Sequence, residues 1–266
     1  MKKVGLLFVA VFITVFSFAQ DAAEKMNQAN EALQNKEYVK ALELYQEVLA
    51  IPDHGQDVEG ITSTMNQLKP VIAKDEASDA IDNKEYDKAV EIYKTAMTEF
   101  PDDASIASQA GVKFYNAGIT SYKAKSYLEA AKCFTIAEMD FKNDKAEKYK
   151  NASLKKVAED LAAEGKTSVE EVEVCAENKA LLINSLASAY VMQGNDLYKQ
   201  GAAILSAANQ KVNDGGMTTA DDAYAAEVAK AKKEFTAAIE VLEKALALDA
   251  NNANATKLLE ACKSVI

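Results

Sequence analysis

Ala77 to Pro101 reads ASDAIDNKEYDKAVEIYKTAMTEFP, and its spacing decides the fold. Tyr86, Ala89, Tyr93 and Ala96 are 3, 4 and 3 residues apart, which places them on one face of a helix. The same order of aromatic, Ala, aromatic or Leu, and small residue recurs as Tyr38-Ala41-Tyr45-Val48, Tyr127-Ala130-Phe134-Ala137 and Phe235-Ala238-Leu242-Ala245. Ala at the centre of each stripe lets a second helix come close, while the larger side chains fill the space around it. In three copies another small residue, Ala29, Ala77 or Gly118, stands 12 residues before the central Ala, so a partner helix precedes each stripe. Asn35-Lys36-Glu37, Asn83-Lys84-Glu85 and Ala124-Lys125-Ser126 lie between the two, with the length an antiparallel helix hairpin needs. Pro52 and Pro101 close the first two pairs, because proline cannot continue a helix.

This pattern resembles the tetratricopeptide repeat, a 34-residue helix-turn-helix unit. The second copy fits at Ala77, Ala80, Tyr86, Ala89, Tyr93, Ala96 and Pro101. The first has Val48 for the usual Ala, and the third has Lys142 where proline is expected. The fourth is split: Tyr190, Gly194, Leu197 and Gly201 spell a first helix, but 44 residues separate Gly194 from Ala238 against 12 elsewhere. About 32 residues are therefore inserted, and Gly215-Gly216 breaks the insert into two helices. The resemblance implies an all-α, TPR-type helix-turn-helix solenoid with long inserted helices, made of stacked pairs with an extended concave face.

The expected organisation is a signal peptide at residues 1–19, three helix pairs over 20–142, bridging helices over 143–180, and the split pair with a C-terminal capping helix over 181–266. The excess chain around Asp53 to Met65 reads as a loop leading into a helix that begins near Ser63. Gly165 ends a bridging helix, and Ser168 with Glu171 reads as a capping box for a helix from Val169 to about Gln200. Leu258, Leu259, Cys262 and Val265 form one face of the terminal cap, which covers an apolar surface the last pair would leave in water.

Lys2 and Lys3 precede an apolar run, Val4 to Phe18, that falls short of the roughly 20 residues a membrane span requires. Ser17 and Ala19 suit cleavage before Gln20, so the chain reads as exported to the periplasm or secreted, with no membrane span after cleavage. No Cys follows the run to carry a lipid anchor, and Gln after the cleavage site resembles exported Bacteroidetes proteins. Removing residues 1–19 takes away Lys2 and Lys3 and no acid, leaving 28 basic against 41 acidic residues, a net charge of −13.

Arg and Trp are absent and His54 is the single His. An acidic chain without guanidinium groups disfavours nucleic-acid binding, and one imidazole leaves little for zinc or triad chemistry. No catalytic residue, metal ligand or cofactor is expected. Asp102-Asp103, Glu170-Glu171 and Asp221-Asp222 read as solvated charges at turns and helix starts. His54 reads as part of a surface loop. Cys133, Cys175 and Cys262 all read as small buried hydrophobes in helical stretches.

On the family's geometry, Asn30 with Met26 and Leu33, Lys74 with Ser78 and Ile81, Tyr115 with Tyr122 and Lys123, and Asn195 with Tyr198 and Lys199 would face the groove. Tyrosines edged by lysines suit an extended peptide, whose apolar side chains the rings cover and whose carboxylates the ammoniums meet. The inserted helices can instead fill the groove and make these residues core. The dicarboxylate clamp of eukaryotic co-chaperone members is not reproduced: Met26, Asn30, Asp75, Val112 and Asn116 stand at its positions, without the basic residues. The expected function is a non-enzymatic exported scaffold for a protein or peptide partner, with glycan or small-molecule binding as the alternative. Irregular arrays also bury exposed faces against a copy of themselves, which leaves room for a homo-oligomer.

Overall fold

The structure is a computed structural model and describes residues 19–52 and 54–266. The expected signal segment lies, apart from residue 19, outside the described residues. The described chain is all-α: α1 (19–34), α2 (Tyr38–Ala50), α3 (Val58–Asp82), α4 (Tyr86–Glu99), α5 (Ser105–Lys123), α6 (Tyr127–Met139), α7 (Ala146–Ala163), α8 (Ala176–Asn213), α9 (Asp222–Leu248) and α10 (Ala253–Lys263). It divides into two compact units, Met1–Ala117 with Ile136–Asn143 and Gly118–Thr135 with Asp144–Ile266.

In the first unit the repeated stripes form the core. Ala29 and Ala32 of α1 share a buried cluster with Ala41, Tyr45 and Val48 of α2 and with Ile61 and Leu68 of α3. Ala77 and Ala80 of α3 and Tyr86, Ala89, Tyr93 and Ala96 of α4 repeat the arrangement. Tyr93 meets Phe141 edge-on at 5.7 Å, and Phe141 stacks on Phe114 at 5.6 Å. Each fully buried large side chain contributes roughly 1.5–3 kcal/mol.

The first two hairpins turn identically because they repeat the same residues, Asn-Lys-Glu-Tyr. Lys36 and Lys84 adopt left-handed conformations at φ 61° and 63°. The next residue's N–H then reaches back to the preceding helix: Glu37 donates to the Ala32 carbonyl and Glu85 to the Ala80 carbonyl, both at 2.8 Å. One turn on, Lys40 pairs with Glu37 and Lys88 with Glu85, each at 2.8 Å. Lys125 repeats the backbone geometry in the second unit, at φ 63°.

The second unit is built on α8 and α9. Leu182, Leu186 and Tyr190 of α8 pack with Phe235, Ala238, Leu242 and Ala245 of α9, and α7 and α10 add Ala158, Ala162, Ala255 and Cys262. Gly194 and Gly201 allow the close approach. A β-carbon at Gly194 would lie 2.6 Å from Leu242 Cγ, and one at Gly201 would lie 2.9 Å from Phe235 Cε1. Gly118 stands against Phe134 in the same way, at 2.7 Å. The insert breaks at the glycine pair as the sequence indicates, and its residues lengthen the two helices of the pair itself.

Four expectations are corrected. α3 begins at Val58, not near Ser63: the Asp57 side chain accepts the Gly60 N–H at 3.1 Å and caps the helix. The absence of a β-carbon at Gly60 leaves room for the capping carboxylate, and Thr62 and Thr64 donate their hydroxyls to the carbonyls of Val58 and Gly60. The Ser168–Glu171 capping box does not form, and α8 begins only at Ala176. The Ser168 hydroxyl accepts the Glu170 N–H instead, Val169 is buried among α7, α8 and α9, and Tyr190 donates to the Lys166 carbonyl at 2.6 Å. Residues 164–175 thus form an irregular strap. Third, Cys133 and Cys262 are buried, but Cys175 is exposed at the start of α8. In α10, Ala255 and Cys262 are buried while Val265 lies past the helix end and is exposed.

Candidate binding surfaces

Several side chains expected to face a groove are engaged by neighbouring side chains of the fold. Tyr45 donates its hydroxyl to Asn30 Oδ1 at 2.7 Å, so the Asn30 carbonyl holds a buried ring. Lys74 donates to Asp103 Oδ2 and Ser105 Oγ, both at 3.1 Å, and fastens the start of α5. The Ser105 hydroxyl and then the Lys74 ammonium hold the Asp103 carboxyl below its ordinary pKa of 3.8. Ile81 is core. Tyr115 is half-buried.

In the second unit, Tyr122 meets Tyr127 edge-on at 5.3 Å and Tyr198 leans on Phe235 at 5.6 Å. Asn195 is half-buried, and Lys123 and Lys199 are exposed. The buried tyrosines are structural. Burial, with Asp75 nearby, pushes the Tyr93 phenol up to about 12, and burial raises Tyr45 and Tyr190 as well.

Asp102-Asp103 and Asp221-Asp222 behave as helix-start groups, whereas Glu170-Glu171 lies in the strap, where Glu170 accepts from Lys179 at 2.7 Å. Asp103 accepts the Ser105 N–H at 3.0 Å. Asp221 accepts the Thr218 N–H at 2.7 Å and its hydroxyl at 2.9 Å, in that order the causes of its lowered pKa. His54 Nδ1 accepts the Gln56 N–H at 3.0 Å in a short loop. Among the described residues no group of three or more His, Cys, Asp or Glu is placed to hold a metal ion, and no described helix is long and apolar enough to cross a membrane.

Each unit has an open cleft. One, of about 390 Å³, lies in the first unit between the start of α2 and α3. Tyr38, Val39 and Ile72 line it together with Lys36, Lys40 and the carboxylates of Asp75, Glu76 and Asp79. The other, of about 330 Å³, lies in the second unit between α7 and α8. Lys155 and Glu159 of α7 form one wall, and Leu181, Asn184, Ser185, Ser188, Ala189 and Met192 of α8 form the other. Leu181 and Met192 are 38% and 54% exposed, large apolar side chains in water at the two ends of the cleft. Along α8, Leu181, Ser185, Ser188, Met192, Asn195 and Lys199 follow spacings of 4, 3, 4, 3 and 4, so all share one helix face. That stripe joins the cleft to two of the residues picked from the sequence. Leu181 and Met192 were the available signal, but the pattern does not reveal which α8 face α7 leaves open.

No protein-family model matches the chain, and no curated protein matches it in sequence. Among solved structures it is similar to a TPR repeats protein from Bacteroides fragilis, 21% identical, over 92% of this chain and 99% of that one, with a TM-score of 0.35. The helix pairs described above define the fold class by themselves: an all-α protein of repeated helix-turn-helix units.

Proposed function

We propose that the protein is a non-enzymatic scaffold, exported to the periplasm or secreted, that binds a peptide or protein segment. The observation that carries this reading is the cleft face of α8 from Leu181 to Met192, with both of those apolar side chains exposed, flanked by the α7 wall at Lys155 and Glu159. Apolar side chains left in water at the ends of a cleft lose little on being covered by a partner, and the polar groups between them set its orientation. At about 330 Å³ the cleft is at the small end of ligand sites and accepts a few side chains rather than a whole domain. Asn195 and Lys199 extend the same face.

Affinity capture from envelope extract tests the reading, with a Leu181→Glu/Met192→Glu variant as control. A protein retained by the wild type and released by the variant supports it; retention of the same proteins by both refutes it. Export is tested separately by intact mass, which should begin at Gln20. A chain that keeps residues 1–19 and stays in the cytoplasm overturns that part.

A further inference from the structure

We infer that the α7–α8 cleft takes a peptide segment carrying a carboxylate beside aliphatic side chains. This rests on the peptide-scaffold reading and adds a chemical class to it. Glu159, the only carboxylate lining it, is already held by Lys156 at 2.6 Å. Lys155 is exposed and meets no carboxylate among the described residues. Across from it, Asn184, Ser185 and Ser188 supply further donors from the α8 face. An ammonium with an amide and two hydroxyls suits a carboxylate, while Leu181 and Met192 suit aliphatic neighbours on either side.

The chain's net charge of −11 opposes an acidic ligand at long range. Screening confines that opposition to about 8 Å at physiological salt, so the local cation decides. The α2–α3 cleft is an internal control. Its wall carries the four carboxylates of Glu37, Asp75, Glu76 and Asp79 against Lys36 and Lys40, a net negative lining that disfavours the same ligand.

The test uses the full chain labelled with 13C at methionine methyls, with Met192 as the reporter at the cleft. Three capped hexapeptides are titrated: GLLDLG, GLLNLG and GLLKLG. The expected result is a saturable shift of the Met192 methyl by the Asp peptide, with Kd on the order of 1 mM and about threefold tighter binding than the Asn peptide shows. Lys155→Ala should equalise the three peptides, and Lys155→Glu should invert the order in favour of the Lys peptide. Equal shifts by all three peptides, unchanged by Lys155→Glu, overturn the charge preference and leave the peptide cleft standing. No shift of Met192 with any peptide overturns both.

Discussion

Twelve residues separate Ala77 from Ala89 in the α3/α4 pair, and 44 separate Gly194 from Ala238 in α8/α9. Yet Leu242 lies over Gly194 as Phe134 lies over Gly118, each four residues after the central Ala of its stripe. The register of a pair is therefore set where a small residue meets a large one at the helix crossing, and not by the turn. Chain added beyond the crossing lengthens both helices. Phe235 over Gly201 repeats the contact seven residues further out along α8, and Tyr224 donates to Asn209 at 2.9 Å beyond that. The short pair instead closes at once, on a lysine in left-handed geometry.

If the two hairpins rest on equivalent contacts, removing the large partner should be equally severe in both. Tyr86→Ala and Phe235→Ala, each three residues before the central Ala of its stripe, should each cost about 3–5 kcal/mol in urea unfolding. A loss below about 1 kcal/mol for Phe235→Ala would separate the two hairpins. Filling the small side should follow: Gly194→Val should cost about 1–3 kcal/mol by overpacking against Leu242. Leu242→Ala in the same chain should recover part of that loss, and strict additivity of the two changes would deny the contact.

The α3/α4 pair should also respond to high pH. The Tyr93 phenol is pushed up to about 12 when folded, against 10.0 ordinarily. The folded state then keeps a proton that the unfolded state releases. Stability is full below pH 10 and falls as pH rises toward 12, by about 2 kcal/mol from this group. Tyr93→Phe should flatten that decline, and an unchanged alkaline limb would remove Tyr93 from the account. The smallest effect belongs to the turn. Lys84 at φ 63° is a conformation glycine adopts freely, so Lys84→Gly should stabilise by about 0.5–1 kcal/mol, measured by the same denaturation.

The short pairs were legible because their signals are local: Ala and Tyr at helical spacing, a polar turn, a proline after the second helix. The Gly215-Gly216 break was legible for the same reason. The strap at residues 164–175 was not. Ser168 and Glu171 carry a helix-start signal, but Val169, Val172 and Val174 are β-branched and favour extended backbone. Burial of Val169 and the Tyr190 hydroxyl on Lys166 select the irregular form over a helix, and both are long-range effects. Asp57 was a readable cap, masked by Gly60 and three following hydroxyl residues. Of the binding surface, Asn195 and Lys199 were picked from the sequence, whereas Leu181, Met192 and Lys155 needed α7 placed against α8.

The equivalence of the long and short pairs is tested most directly by nuclear Overhauser contacts from the glycine α-protons of the second unit. The account predicts cross-peaks from Gly194 to the Leu242 methyls and from Gly201 to the Phe235 ring. Cross-peaks from Gly194 to residues between 205 and 231 instead would mean that the insert folds back across the crossing, and would contradict it.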